Sequence, residues 1–343
     1  MENNVTSAAR RITATEVAER AGVSISTVSK ALSGRGAVRH DTRQRILEAA
    51  AELGYRAPHT EAVPAAFFNG PTGAVGVIIE DQFGRLTVPV LQGVIELFAE
   101  RDTALLLVDG RGDPIREAHY VESFVRRGVD GILVVGAGVY PREPLRGVSG
   151  VPVVYALSWS TAGEDVSVSV DDAEGARMAA RHLVSTGRTR LAFISGPQRD
   201  TASIIRLAST EAVLAEAGAE LVHEPLFGQW SERWGRQAVG QLLRSGAEFD
   251  GIVCGSDQIG RGVLEALREA DVRVPHQVAV TGFDNWDVMV EASRPPLTTV
   301  DMSLNDVGSR AAQAILDAVE RPIPAGVERV ACQLVPREST ALD

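Results

Sequence analysis

Thr15-Glu-Val-Ala-Glu-Arg-Ala-Gly-Val-Ser-Ile-Ser-Thr-Val-Ser-Lys-Ala-Leu-Ser33 reads as two short helices joined by a tight turn. Just upstream, Thr13 and Glu16 have the spacing of a capping box, in which a threonine and a glutamate satisfy the free amides of a helix start. Val17 and Ala18 give that helix an apolar face, and Gly22 suits the left-handed residue that ends it. Ser24 is placed to cap a second helix, Ile25 to Leu32, with Val28, Ala31 and Leu32 on one side. A third helix is expected from Asp41 or Thr42, burying Ile46, Leu47, Ala50 and Leu53 and stopping at Gly54. This is the layout of a helix-turn-helix, whose second helix enters the DNA major groove with its first residues near base edges. The face left open carries Ile25, Ser26, Thr27, Ser29 and Lys30. A three-helix bundle used for protein contacts would share the pattern.

Charge separates this head from the rest. Residues 1–58 hold nine basic and six acidic side chains, while the 343-residue chain has a net charge of −11. A basic head on an acidic body suits a phosphate-binding module joined to a solvated sensor. Residues 56–72, with Pro58, Pro64, Gly70 and Pro71, form the clearest linker.

Beyond Gly73 short apolar runs alternate with helical stretches. Strands are expected at Val75–Ile79, Ala104–Val108, Gly131–Val135 and Val151–Tyr155, with helices near 88–100 and 114–127. A second series has strands at Leu191–Ser195, 220–226, Gly251–Cys254 and Val278–Gly282, with helices near 203–217, 231–245 and 258–270. The tail is expected to add a helix at 303–320 and one strand at 327–336. Continuous Val/Ile runs mark strands buried on both faces, and strand–helix alternation marks doubly wound parallel sheets. The two series look like two similar lobes. Ligands of such sheets sit beyond the carboxyl ends of the strands. The residues to watch there are Asp81, Asp109, Ser158, Trp159, Arg206, Trp230, Ser256, Asp257 and Asp284.

Composition narrows the function. Hydrophobic residues make up 45% and charged residues 23%, an ordinary globular balance. Cys254 and Cys332 lie far apart and read as buried thiols in a reducing compartment. No HExxH, CxxC or histidine cluster points to a metal, and no cofactor motif is present. Met1 to Arg11 is polar, unlike a secretory leader, and no run of 18 apolar residues would span a membrane. A cytoplasmic protein is expected.

The head segment closely resembles the N-terminal signature of the lactose-repressor (LacI/GalR) family of bacterial regulators. The resemblance continues through Thr42-Arg-Gln-Arg-Ile-Leu-Glu-Ala-Ala50 and Leu53-Gly-Tyr55. In the body it runs through Thr72-Gly-Ala-Val-Gly-Val-Ile-Ile79, Gly187–Pro197, Asp250–Gln258, Val278–Asp284, Pro295–Val300 and Leu334–Ser339. It implies an all-α helix-turn-helix head (1–57), a hinge or linker (58–72) and a two-lobed, periplasmic-binding-protein-like α/β body (73–343). It also implies a repressor: a homodimer on near-palindromic double-stranded DNA, governed by a small effector such as a sugar. Half-sites of such dimers lie roughly 34–36 Å apart.

By resemblance, Ile25, Ser26 and Lys30 take base-contacting positions, while Thr15, Ser24, Thr27, Ser29 and Arg35 support them or touch phosphate. Lys30 is a donor able to reach guanine O6 or N7, and Ile25 offers an apolar contact to a thymine methyl. Family members wedge an apolar side chain of a hinge helix into the minor groove. Here the linker departs: it is about three residues longer than usual, and Pro64 interrupts a helix unless it falls in the first turn. Phe67 or Phe68 could form the wedge or simply cover the body.

The same resemblance puts Trp230 where an aromatic ring stacks on effector, Arg206 and Asp284 where effector oxygens are bound, and Ser256 where many members have Asn. Other readings of these residues stay open: Asp284 as a cap for a helix at Asn285, Trp286 as packing, and Arg206 as the partner of Glu211. The first lobe departs more: Asp81-Gln-Phe-Gly-Arg-Leu-Thr87 replaces the family's usual Asn-Pro-Phe-Phe stretch, and Leu157-Ser-Trp159 stands where sugar-binding members often have an Asp. Asp81, Trp159 and Asp257 complete the candidate effector set. A solute-binding protein would share the body but not the head. An enzyme is disfavoured: Gly136-Ala-Gly138 is followed by Pro141 where a third glycine belongs, and no Gly-x-Ser-x-Gly elbow or P-loop occurs.

Overall fold

A computed structural model describes residues 13–33, positions 42, 45, 46, 49, 50 and 53, and residues 72–81, 83–148 and 150–341. The expectations for Arg35, Leu47, Pro64, Phe67 and Phe68 lie outside the described residues. The chain divides into two compact units, Met1–Phe67 and Phe68–Asp343.

In the first unit, α1 (Ala14–Ala21) begins where the Glu16 carboxylate accepts both the Thr13 amide (2.7 Å) and the Thr13 hydroxyl (3.0 Å). It ends at Gly22 with φ +65°, which a Cβ would strain. The turn leads to α2 (Ile25–Ser33), where Ser24 Oγ accepts the Thr27 amide at 3.2 Å. Val17, Ala18, Ala21, Val28 and Ala31 form one core with Ile46, Ala49 and Ala50 of the third helical stretch. Burying Val17, Val28 and Ile46 each stabilises this small unit by about 1.5–3 kcal/mol.

The second unit has two lobes. The first is a six-stranded parallel sheet built from β1 (Ala74–Ile79), β2 (Ala104–Asp109), β3 (Gly131–Val135), β5 (Val153–Ala156), β7 (Val166–Val170) and β13 (Gly326–Val330). Their spatial order is β13-β7-β5-β3-β1-β2. Short strands β4 (Pro141–Arg142) and β6 (Trp159–Ser160) pair beside it. Alternation along β1 and β3 fills both faces. Val77, Ile79, Leu133 and Val135 pack in the core that includes residues of α3 (Thr87–Glu100) and α10 (Leu304–Glu320), numbered in chain order. Ile78, Ile132 and Val134 pack with Val121 and Phe124 of α4 (Pro114–Arg127).

The second lobe is a four-stranded parallel sheet, β11-β10-β8-β9, made of β8 (Leu191–Ser195), β9 (Leu226–Phe227), β10 (Gly251–Cys254) and β11 (Ala279–Thr281). Its helices are α5 (Asp172–Ser185), α6 (Thr201–Glu216), α7 (Glu232–Ser245), α8 (Asp257–Glu269) and the short α9 (Asp287–Val290). Two strands, β12 (Thr299–Asp301) and β14 (Gln333–Val335), form an antiparallel ribbon.

Each lobe also seats two helices through reciprocal glycines. A Cβ on Gly93 would fall 2.0 Å from the Asn305 carbonyl oxygen, and one on Gly308 would fall 2.0 Å from that of Val90. In the second lobe Gly235 stands against Ile259 O (2.2 Å) and Gly262 against Glu232 O (2.0 Å). Bare backbone is what lets α3 meet α10 and α7 meet α8 so closely.

Three departures from the sequence reading matter. The sequence pattern marks no element between 156 and 190, yet β6, β7 and α5 lie there. In β7 the Val-Ser-Val-Ser-Val alternation breaks the apolar run that marks a buried strand. Ser167 and Ser169 are buried all the same, because Ser167 Oγ accepts the Ser160 amide (3.2 Å) and the Ser169 hydroxyl donates to Leu157 O. The 220–226 strand shrinks to two paired residues, although Val222 still donates to Leu191 O at 3.0 Å. The single tail strand is two strands separated by Ala331–Cys332, β13 in the six-stranded sheet and β14 in the ribbon with β12.

That last correction exposes the hinge. The chain passes between lobes near Asp171, near Asp301–Ser303 and at Ala331–Cys332. The three passages are bonded together: Asp171 N to Val330 O (2.8 Å), Ser303 Oγ to Ala331 O (3.0 Å) and Cys332 Sγ to Asp171 O (3.4 Å).

Candidate functional site

The head presents a polar face with one apolar tip. Ile25 in the first turn of α2 is 51% exposed, which a helix start does not require for packing. Thr15, Ser24, Ser26, Ser29 and Lys30 are exposed, and Thr27 is half-buried. The hydroxyls of Ser24, Ser26 and Thr27 are linked, Ser24 Oγ lying 2.8 Å from Ser26 Oγ and 2.7 Å from Thr27 Oγ1. This cluster caps α2 and still leaves lone pairs and protons for outside partners.

In the body, a cavity of about 200 Å³ opens between the lobes at the carboxyl ends of both sheets. Arg85 and Leu86 follow β1, and residues 137–140 follow β3. From the second lobe come Asp200, Ala202 and Arg206 after β8, Trp230 after β9 and Asp284 after β11, while Met302 lies at a passage between lobes. Larger hollows of about 660 and 550 Å³ are surface grooves along β13 and along the segment after α6, away from this convergence.

Arg206 is fixed before any ligand arrives. Its Nε donates to Asp172 Oδ2 (3.0 Å), Nη2 to Asp172 Oδ1 (2.7 Å) and Nη1 to Gly255 O (2.5 Å). Three of five N–H groups are thereby used, leaving two for a ligand. The guanidinium lies 3.6 Å from the Phe283 ring centroid and 5.9 Å from that of Trp230. Burial works against its charge, but Asp172 and, beyond it, Asp284 together outweigh burial and the pKa rises. The Arg206–Glu211 alternative is thus replaced by Arg206–Asp172.

Trp230 rests on bare backbone, since a Cβ on Gly196 would fall 2.2 Å from its Cε2. Its Nε1 donates to Asp200 Oδ2 at 3.1 Å, and Asp200 also caps α6 through the Ala202 amide (3.0 Å). Asp284 sits at φ +117° and pairs with Arg85 Nη1 at 2.5 Å. It does not cap α9, whose N-cap is Trp286. Burial raises the Asp284 pKa against the pull of Arg85 and Arg206. Across the cavity the Tyr140 hydroxyl donates to Glu80, which also holds Arg142, while Arg142 Nη2 meets Glu117 at 2.8 Å.

Of the seven effector candidates, Arg206, Trp230 and Asp284 line this cavity; Asp81, Trp159, Ser256 and Asp257 are not in its lining. Ser256 Oγ accepts the Ile259 amide and caps α8. Asp257 accepts the Thr299 hydroxyl (2.5 Å) and the Trp286 amide (2.8 Å), so it anchors the loop carrying Asp284. Burial, then the charge of Asp284, pushes its pKa well above the usual carboxylate range. Trp159 lies under Arg329, 4.5 Å from ring centroid to guanidinium carbon. Asp81 folds against Gly84, where a Cβ would fall 2.0 Å from its Oδ2. The sequence reading passed over Arg85, Tyr140, Asp200 and Asp172. Arg85, Tyr140 and Asp200 stand in loops several residues past the ends of β1, β3 and β8, while Asp172 opens α5 after β7, a strand the sequence pattern does not mark.

Residues 13–57 match the family described as bacterial regulatory proteins, lacI family, and residues 180–340 match the periplasmic binding protein-like domain. The transcriptional regulator AscG of Escherichia coli (strain K12) is 31% identical over 85% of this chain and 87% of its own. The transcriptional regulator CelR of Thermobifida fusca is 30% identical over 90% of this chain and 92% of its own. Among solved structures, a CelR–cellobiose complex is similar at a TM-score of 0.66 and 28% identity, covering 96% of this chain and 100% of that one. A lac repressor dimer bound to operator shares the fold at a TM-score of 0.73, with 22% identity, 97% of this chain and 100% of that one covered. No helix among the described residues is long and apolar enough to cross a membrane. The chain belongs to the lacI family of bacterial regulatory proteins, which are DNA-binding transcription regulators and not enzymes.

Proposed function

We propose that this regulator is a cytoplasmic repressor whose operator affinity is set by a small polar effector, a sugar or related metabolite, held in the interlobe cavity. The observation that carries the reading is the convergence of Arg206, Trp230 and Asp284 on one cavity at the strand ends of both lobes. Arg206 supplies donors, Asp284 supplies acceptors, and Trp230 supplies an aromatic face. That set suits hydroxyls, which both donate and accept. Tyr140 adds an acceptor from the first lobe, its own proton being committed to Glu80. The volume equals roughly seven waters, which suits one small metabolite.

The head, 1–57, reads DNA through Ile25, Ser26 and Lys30, with Thr15, Ser24, Thr27, Ser29 and Arg35 supporting the contact or bonding phosphate. Phe67 of the linker, 58–72, is assigned to the minor groove. The body, 73–343, pairs with a second copy, so that two heads meet a near-palindromic operator. Effector binding changes the angle between lobes and with it the fit to DNA, so the two affinities are reciprocally coupled.

The test begins with genomic footprinting by the purified protein to obtain an operator. Anisotropy titrations of that fragment then run with and without metabolites of the neighbouring genes' products. Binding that weakens steeply with salt and shifts with one metabolite is expected. An operator dissociation constant indifferent to every such metabolite at saturation overturns the effector reading.

A further inference from the structure

The loop after β1 places a cation on the effector's acceptor. Asp81 and Gly84 curl this loop, because Gly84 leaves room for the Asp81 carboxylate where a Cβ would sit. Arg85 then projects from the first lobe onto the second. Its Nη1 reaches Asp284 Oδ2 at 2.5 Å, and its guanidinium carbon lies 6.0 Å from the Trp286 ring centroid. The Asp284 side chain is 4% exposed and that of Arg85 20%. Arg85 also lines the cavity that Asp284 faces.

Charge makes this contact consequential. Asp284 is buried near Asp257 and Asp172, and Arg206 is already held by a two-point pair with Asp172. Among the described residues, Arg85 is the cation paired with the Asp284 carboxylate. A buried carboxylate without a partner is costly. Burial of Asp284 therefore favours the arrangement in which the first lobe keeps Arg85 on its carboxylate.

We propose that Arg85 is a tethered competitor: it latches the two lobes across the cavity, and an effector binds by taking the Asp284 carboxylate from it. This rests on the effector reading of the cavity. It makes Arg85 a specificity-determining residue: a ligand must present a hydrogen-bond donor to Asp284 that replaces the guanidinium, which turns to the solvent that already reaches its side chain. A ligand with an apolar group at that place leaves the buried carboxylate unpaired and is rejected.

The latch is tested on the full chain without any ligand, by hydrogen–deuterium exchange of wild type, Arg85→Gln and Arg85→Lys. Peptides over 136–142 and 283–290 report the cleft, and a peptide over 191–195 reports the intact fold. Arg85→Gln is expected to speed exchange in the cleft peptides about three- to tenfold, with 191–195 unchanged and Arg85→Lys near wild type. Equal exchange in wild type and Arg85→Gln overturns the latch. If 191–195 also speeds up in Arg85→Gln, low-millimolar guanidinium chloride decides. Slowed cleft exchange relative to equal sodium chloride supports the latch, and no slowing overturns it. A second arm titrates D-ribose, cellobiose and the metabolites from the operator screen. A ligand that binds wild type is expected to bind Arg85→Gln about three- to tenfold tighter; equal or weaker binding overturns the competition. If nothing binds either protein while the exchange result holds, the effector reading fails and the latch stands.

Discussion

Arg206 and Asp172 meet at two points, Nε to Oδ2 at 3.0 Å and Nη2 to Oδ1 at 2.7 Å, with side chains 5% and 1% exposed. Asp172 opens α5 directly after the Asp171 passage between lobes. The donor that faces the cavity is therefore anchored at the hinge, and the plane of its guanidinium is set by the segment about which the lobes turn. Phe283 beneath it prevents tilting.

Removing one partner leaves the other buried and charged. Arg206→Ala is expected to cost about 3–5 kcal/mol in urea unfolding, because Asp172 keeps its burial and loses both bonds. Asp172→Asn should cost less, since an amide oxygen can still accept from the guanidinium. A loss below about 1 kcal/mol for Arg206→Ala would mean that water reaches Asp172 and that the pair does not fix the site.

Gly196→Ala tests the seat of Trp230 in the cavity. The added methyl would lie 2.2 Å from Trp230 Cε2, so the ring must move. Overpacking of this kind costs about 1–3 kcal/mol. The ring also loses its place in the cavity and its bond to Asp200. Effector affinity should fall at least tenfold, while operator affinity without effector stays near wild type. Unchanged effector affinity would remove Trp230 from the site.

Much of this was legible in the sequence because each signal was local. Gly22, Ser24 and the Val17–Val28 spacing specify the head, and the structure places all of them in the expected roles. The apolar runs at 131–135, 191–195 and 251–254 became strands with those same ends. What escaped depends on contacts distant in sequence. Asp172 meets Arg206 across 34 positions, and Arg85 meets Asp284 across 199. Ser256 and Asp257 follow a strand as a ligand residue would, yet one caps α8 and the other anchors the Trp286 loop. Position after a strand selects helix caps as readily as ligand contacts.

Lys30 tests the head. It is exposed on α2, one turn beyond the Ser24–Ser26–Thr27 hydroxyl cluster. Lys30→Ala should cost about 1–3 kcal/mol on the specific operator and much less on random duplex. Anisotropy titrations at several salt concentrations distinguish the roles. An equal loss on both duplexes, with a salt slope smaller by about one, would assign Lys30 to phosphate.

His182 gives a pH prediction whose sign can be worked through. Its Nε2 lies 2.7 Å from Thr340 Oγ1, and burial holds its pKa below the ordinary 6.5. Below pH 6.5 the unfolded chain binds a proton at this site before the folded chain does, so this contribution to stability falls as pH drops. Asp257 acts the other way. Its carboxyl takes up a proton in the folded state well above the usual 3.8, so falling pH favours the fold at that site. The two opposing trends make the wild-type profile alone uninformative. The difference between wild type and His182→Gln cancels the Asp257 part. That difference should be flat above pH 6.5 and should tilt below it, with the variant losing less stability than wild type on acidification. Parallel urea midpoints for the two proteins from pH 7.5 to about 5 would show that His182 protonates equally readily folded and unfolded. Burial beside Thr340 would then exert no pull on its charge.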